Sequence, residues 1–263
     1  MKPDYKNWMP KGMVLGTAAG AAGCFGLAAV CGRTNLIGNK QVKAAASGAF
    51  AIAGIAAGGA ALWMGLLYNA FSYDGKRQMS RQIIDGIAEH VILPEGGTGL
   101  DVGCGSGALT IACAKRNPRG RFIGIDRWGR EYASYSKALC EANARAEGVS
   151  NAEFRRGNAI RLDFPGESFD AVTSNYVYHN ITGRDRQELL LETLRVLKKG
   201  GTFAIHDIFS EAKYGDMRSF AERLRTAGYE KVELIDTTKG MFLSPWEDGW
   251  MALSGSALLV GKK

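Results

Sequence analysis

The residues best suited to chemistry by type and spacing are Asp101, Gly103, Cys104, Gly105, Gly107 and Asp126. The first five lie in Leu100-Asp101-Val102-Gly103-Cys104-Gly105-Ser106-Gly107, where an apolar run feeds glycines at alternate positions. Ala108–Arg116 follows with helical character, so the pattern reads strand, bend, helix. The first turn of such a helix carries unpaired N–H groups and a partial positive charge, a site for an anion. Glycine permits the sharp turn and the close approach of a ligand to the main chain. Asp126 closes the next apolar run, Arg121–Asp126, 19 residues after Gly107. A carboxylate at that strand tip is placed to accept the hydroxyls of a ribose.

A second group lies further along. Ser174 and Asn175 end the strand-like part of Phe164–Asn175, and Tyr176, Tyr178, His179 and Asn180 follow them. His179 is the first candidate for a general base, because imidazole titrates near neutral pH. His206 and Asp207, at the tip of a fifth strand over Thr202–His206, are the second. Ligands of open parallel sheets bind at the carboxyl ends of the strands, where both groups fall.

Elements that position these residues alternate between β and α, which argues a parallel sheet covered by helices. Helices are expected at Met79–Val91, Glu131–Glu147, Arg184–Lys198 and Met217–Ala227. Strands are expected at Thr98–Val102, Ala152–Arg156, Lys231–Asp236 and Ala252–Gly261. Lys239–Met251 is too apolar for a plain loop; capping a substrate pocket, touching a membrane and packing on the sheet edge stay open.

The G-x-G-x-G spacing, the acid at Asp126, Ser174-Asn175 and Lys199-Gly200-Gly201 together resemble the class I S-adenosylmethionine (SAM)-dependent methyltransferases. The stretch around Ser174–Asn180 is most similar to the ubiquinone/menaquinone type. The resemblance covers residues 73–263. It implies an α/β, Rossmann-like, seven-stranded, mostly parallel sheet of order 3-2-1-4-5-7-6, SAM as cofactor and S-adenosylhomocysteine as product. It also implies that Arg127 and Trp128 pack on the adenine and that Asn158, where the family commonly has an acid, meets its amino group. Ala159, Asn175 and Tyr176 complete the implied cofactor site, with His179 and Asp207 at the methyl-transfer point.

Residues 1–72 read differently. The first 71 residues hold +5 of the net charge of +7, with no basic run interleaved with aromatics, which disfavours nucleic-acid binding. Gly12–Gly32 has no charged residue and would span about 31 Å as a helix, the thickness of a bilayer core. A second uncharged run covers residues 44–71, with Trp63, Tyr68 and Phe71 suited to the interface. The expectation is a membrane hairpin, its helices brought close by Gly12, Gly16 and Gly20 and by Gly54 and Gly58, with oligomerisation open to the same glycines; an Ala/Gly-rich soluble hairpin that packs on the domain or dimerises stays open beside it. With the catalytic domain expected in the cytoplasm, six lysines and arginines flank the termini of the hairpin against three in its link, in agreement with the positive-inside tendency. Five scattered cysteines and three histidines form neither a disulfide framework nor a metal pattern.

The expected protein is therefore a multi-pass membrane methyltransferase acting on a small-molecule or lipid-like acceptor. An NAD-dependent oxidoreductase shares the ribose-binding acid, and a membrane-tethered SAM-binding protein without catalysis shares the whole cofactor site.

Overall fold

A computed structural model describes residues 2–34, 36–129 and 134–263. The chain divides into two units, residues 7–80 and residues 1–6 with 81–263.

The unit of residues 7–80 is built on two long antiparallel-sequence runs of helix, α1 (Lys11–Arg33) and α2 (Lys40–Phe71). Both are long and apolar enough to cross a membrane, with mean hydropathies of 1.8 and 1.9 over their best windows. Only 11% of each window is buried within the protein, and Met13, Ile52, Ile55 and Leu62 stand more than half exposed. Of the two glycine rows, only Gly54 makes the close helix contact that the spacing suggests. No atom lies within 4 Å of a Cβ built at Gly12, Gly16, Gly20 or Gly58. The close approaches are at Gly54, which faces the Phe25 ring, and at Gly32, which faces Ser47. Ser47 adds a hydrogen bond from its hydroxyl to the Ala28 carbonyl (2.9 Å). At the open end Asn7 donates to the Tyr68 carbonyl (2.7 Å). Asn39 caps α2 by accepting the amides of Gln41 and Val42.

The larger unit holds a seven-stranded sheet of order β3-β2-β1-β4-β5-β7-β6. Its strands are β1 (Thr98–Val102), β2 (Arg121–Asp126), β3 (Ala152–Arg156), β4 (Phe169–Asn175), β5 (Leu197–Ile208), β6 (Glu230–Asp236) and β7 (Ser256–Lys262). Only β7 runs against its neighbours. The parallel strands read as continuous apolar runs because both faces are covered. On one face, Leu100, Val102, Ile123, Ile125 and Phe203 pack with Leu190 and Leu194 of α6 (Arg186–Arg195) and with Phe220 and Leu224 of α8 (Met217–Thr226). The alternate residues point the other way. There Phe154 lies against Gly107 and Gly124, beside α4 (Ala108–Arg116) and α5 (Lys137–Ala146). Ser136 caps α5 by accepting the Leu139 amide, so the helix starts later than the apolar spacing from Glu131 suggests; residues 131–133 lie outside the described residues. The helix α3 (Met79–Glu89) leads into β1.

Three features depart from the expected elements. β5 begins at Leu197 and runs through the Lys199-Gly200-Gly201 turn, where its register against β4 shifts and Gly200 takes φ +78°. A short helix, α7 (Glu211–Tyr214), follows β5. Another, α9 (Pro245–Met251), lies within the apolar Lys239–Met251 stretch, started by a capping box between Ser244 and Glu247. It joins β6 to β7 on the edge where β5 ends, since Asp236 and Ile208 both pair with the start of β7.

Glycine requirements separate two substitutions that look alike in sequence. A Cβ at Gly99 in β1 would collide with the fully buried Phe122 ring, whereas Gly96 stands in open space at φ +72°. Gly99→Ala is expected to destabilise by about 1–3 kcal/mol through overpacking, and Gly96→Ala by about 1 kcal/mol through backbone strain alone. Denaturant titrations of the two variants check the order; equal losses would show that Phe122 moves aside freely.

Candidate active site

After β1 the chain turns through Gly103, Gly105 and Gly107, at φ of +75°, +55° and +84°. A Cβ at Gly103 would strike Val177, and one at Gly107 would meet Phe154 and Cys140. Gly105 has only the Tyr135 ring at 3.7 Å, so its requirement is conformational. The bend is pinned from both sides. The amides of Gly103 and Cys104 donate to the Ile125 carbonyl (2.8 and 3.0 Å), and the Gly107 amide donates to Cys104 (2.7 Å). The Gly105 carbonyl accepts the Trp128 indole N–H (2.9 Å) and the Cys140 thiol (3.2 Å), and the Ser106 carbonyl accepts the Asn143 side-chain amide (3.0 Å). In a peptide plane the carbonyl and the next N–H point in opposite directions. Engaging the Gly105 carbonyl therefore turns the Ser106 N–H outward, and that N–H has no partner among the described residues. Gly107, the cap of α4, offers no side chain to the first turn, whose N–H groups share that outlook.

Asp126 is joined to this bend directly. Its Oδ2 accepts the Gly105 amide (2.9 Å) and its Oδ1 accepts the Trp128 amide (2.7 Å). Each oxygen keeps lone pairs for hydroxyl donors. Trp128, at φ +43°, thus bridges the acid and the bend through both its backbone and its indole. Arg127 is exposed beside it. The Gly157 amide donates to the Asp126 carbonyl (2.9 Å), which brings Asn158 and Ala159 to the same edge. The Asn158 side-chain oxygen already accepts the Ile160 amide (3.0 Å), so it anchors its own turn and has one acceptor position left.

Asp101 sits beneath the bend, 1% exposed. Its two oxygens accept the hydroxyls of Thr110 (2.6 Å) and Thr173 (3.0 Å), bracing β1 against α4 and β4. Cys104 contributes main chain to the bend while its thiol is buried, and burial pushes that thiol up.

The second cluster forms where β4 and β5 end. Asn175 and His206 are register partners, and their side chains bond at 2.9 Å. The other His206 nitrogen meets the Thr237 hydroxyl (3.1 Å). Burial pushes His206 down to about 3, so it is neutral and engaged at both nitrogens, a structural element and not a titrating base. Tyr176, at φ +54°, bonds Ser256 through its hydroxyl (2.9 Å), and burial pushes its phenol up.

His179 differs. Its Nδ1 bonds the fully buried Asp207 carboxylate at 2.5 Å, and its side chain is 16% exposed. Asp207 also accepts the amides of Tyr178 (2.9 Å), His179 (3.3 Å) and Ile208 (2.7 Å). Burial raises its pKa, but the His179 bond and charge and the Ile208 amide hold it below the ordinary carboxylate range. An ionised Asp207 fixes the Nδ1–H tautomer, which leaves the Nε2 lone pair basic. Nε2 has no partner among the described residues. The buried Tyr214 phenol, raised by burial and by the Asp207 charge, lies on the same side. Val177, packed on Gly103, ties this loop to the bend.

Asp126, Trp128, Asn158 and the glycine bend thus share one edge of the sheet with His179, Asp207, Asn175 and Tyr176. Thr110, Thr173, Asn143, Ser256 and Thr237, which hold them there, carry no local sequence signal; each is a short polar residue bonded to a distant part of the chain.

Comparison with known proteins agrees with this geometry. Residues 100–205 match the family model described as a methyltransferase domain. Among curated relatives, erythromycin 3''-O-methyltransferase of Saccharopolyspora erythraea is 26% identical over 67% of this chain and 64% of its own. The 2-phytyl-1,4-naphtoquinone methyltransferase of Thermosynechococcus vestitus is 33% identical over 49% of this chain and 54% of its own. The chain spans between about half and two thirds of the length of these relatives. In solved structures, the fold is shared with geranyl diphosphate methyltransferase in complex with GPP and sinefungin (TM-score 0.55, 14% identity, 74% of this chain and 82% of that one). It is shared equally with the [4+2]-cyclase SpnF (TM-score 0.54, 22% identity, 73% and 85%).

The support beneath the bend has a pH signature. Burial raises Asp101 from 3.8 to about 6, against the pull of Thr110 and Thr173. A raised acid favours the fold in its protonated form, so this contribution is complete below pH 3.8 and is lost as pH rises through about 6. Relative to Asp101→Asn, the wild-type chain is expected to lose about 3 kcal/mol of stability across that window. Urea titrations at several pH values check it; a flat difference would mean that Asp101 stays ionised. The stretch that matches the methyltransferase-domain family model, residues 100–205, contains the glycine bend and its partner acid Asp126.

Proposed function

We propose that this protein is a membrane-anchored, SAM-dependent methyltransferase that acts on a small or lipid-like acceptor through a hydroxyl or an acidic carbon. The carrying observation is the His179–Asp207 pair, with an unpartnered Nε2, on the same strand edge as a glycine bend locked to Asp126. The residues present fit the cofactor: the outward Ser106 amide and the α4 N-terminus suit its carboxylate, Asp126 suits the ribose, and Asn158 and Ala159 flank the place for the base. SAM, when bound, supplies a methyl group made electrophilic by its sulfonium. His179 Nε2 takes the proton that the acceptor loses, and Asp207 stabilises the resulting imidazolium. The rest of the task is alignment and exclusion of water.

Two relatives support the acceptor class, one named for O-methylation and one for a phytyl-bearing naphthoquinone. The hairpin supports the anchor: its apolar side chains face outward instead of filling a core, which is what lipid contact requires. Gly12, Gly16 and Gly20 remain open on α1 for another helix. Methyl transfer needs its own assay, because a cyclase shares the fold.

Labelled SAM incubated with a lipid extract and with a soluble metabolite pool is expected to label a product from the lipid arm. His179→Ala and Asp207→Asn are expected to lower that turnover by about 10²–10⁴-fold, with S-adenosylhomocysteine affinity within about twofold of wild type. Turnover unchanged in both would remove the pair from the mechanism. In membrane fractions, the protein is expected to stay in the pellet after carbonate washing; release into the supernatant would rule out spanning helices.

A further inference from the structure

The bend is held by a part of the chain far from it in sequence. Helix α5 presents Cys140 and Asn143, one turn apart on one face, to two consecutive carbonyls, Gly105 and Ser106. Asn143 is 2% exposed and makes three hydrogen bonds. Its Nδ2 donates to Ser106 (3.0 Å) and to the Asp4 carbonyl (3.0 Å), and its Oδ1 accepts the Asp4 amide (2.7 Å). Tyr5 is 5% exposed, and its hydroxyl donates to Glu147 (3.2 Å), which also pairs with Lys115.

We propose that Asn143 and the amino-terminal strap at Asp4 and Tyr5 are positioning elements of the cofactor bend, an inference that rests on the cofactor reading above. A carboxamide can bind in either of two orientations, and only one offers N–H to the Ser106 carbonyl. The Asp4 main chain selects it, because its N–H must meet the amide oxygen and its carbonyl must meet the amide nitrogen. In the flipped orientation, oxygen would face oxygen at both Ser106 and Asp4. The strap therefore fixes the Asn143 amide, and the Asn143 amide fixes the Ser106 peptide. With Gly105 held by Cys140 and Trp128, the bend keeps its outward N–H groups in place before any ligand arrives. Preorganised donors of this kind raise affinity because ordering is not charged to the binding step. The bonds to Asn143 run through the Asp4 main chain, while the Asp4 carboxylate pairs with the Lys6 ammonium on the surface and accepts the Lys6 amide (3.1 Å).

The test uses the full-length protein in detergent and calorimetry with S-adenosylhomocysteine, below the melting temperature of every variant. Asp4→Pro removes the one amide that Asn143 Oδ1 accepts. It is expected to weaken binding by about tenfold, the scale of one lost hydrogen bond, and to raise KM for SAM with kcat at saturation nearly unchanged. Asn143→Leu is expected to weaken it further; Asp4→Pro lies in an exposed segment and keeps the test open if that core variant does not fold. Lys6→Gln, which removes only the surface ion pair, is expected to bind like wild type. Asp4→Pro with wild-type affinity and KM, even at a lower melting temperature, would overturn the positioning role. Lys6→Gln as weak as Asp4→Pro would overturn the backbone lock in favour of the charge pair. A wild-type chain that binds no S-adenosylhomocysteine would overturn the cofactor reading and this inference with it.

Discussion

The structure depends on a constraint of peptide geometry at the bend after β1. Three left-handed glycines turn their own amides inward, to Ile125, Asp126 and Cys104, and leave the Ser106 amide facing outward. The two carbonyls at the tip are met by groups from elsewhere in the chain: Trp128 and Cys140 at Gly105, Asn143 at Ser106. The Gly105 amide is taken by the Asp126 side chain, so the group proposed to face a ribose also fixes the loop proposed to face an anion. In the proposed site, cofactor grip and cofactor orientation are therefore one hydrogen-bonded assembly, held by β2, α5 and the chain before α1.

Buried carboxylates show how local donor supply sets chemistry. Asp101 and Asp207 are equally hidden, and burial raises both. Asp101 is met by two neutral hydroxyls, which do not offset that penalty, and it moves up to about 6. Asp207 is met by three amides and a histidine, and it moves down. Charge-assisted donors favour the ionised form where neutral hydroxyls do so only weakly. The difference divides their roles: Asp101 supports a bend, and Asp207 keeps a histidine in the tautomer that a base requires.

Elements with strong periodic signals were legible in the chain itself. β1, β2, β3 and α4 begin and end where apolar runs and glycines place them, and the strand order is the one the family resemblance implies. The two short helices α7 and α9 were not, because four and seven residues carry too little periodicity; α9 owes its start to the Ser244–Glu247 capping box. Glycine spacing in the hairpin located the contact at Gly54 but not at Gly12, Gly16, Gly20 or Gly58, since a four-residue repeat gives a face of the helix but not which face meets the neighbour. The Asp4–Asn143 clamp joins residues 139 positions apart, and no local pattern encodes it.

Asp101 shows how register could have refined the reading of the site. Along β1 it alternates with Leu100 and Val102, which enter the α6 and α8 side of the core, so it must point to the other face. Its register partners are Thr173 in β4 and Gly124 in β2. Thr173 supplies one donor from across the strand pair. Gly124 supplies room, since a Cβ there would lie 2.5 Å from the Thr110 hydroxyl that donates to Asp101 from above. The glycine inside β2, which weakens a strand by itself, is thus the space through which α4 reaches the acid under the bend. An acid flanked in register by a threonine and a glycine is an acid with an internal partner, and its position beside the glycine motif does not make it a ligand-binding group.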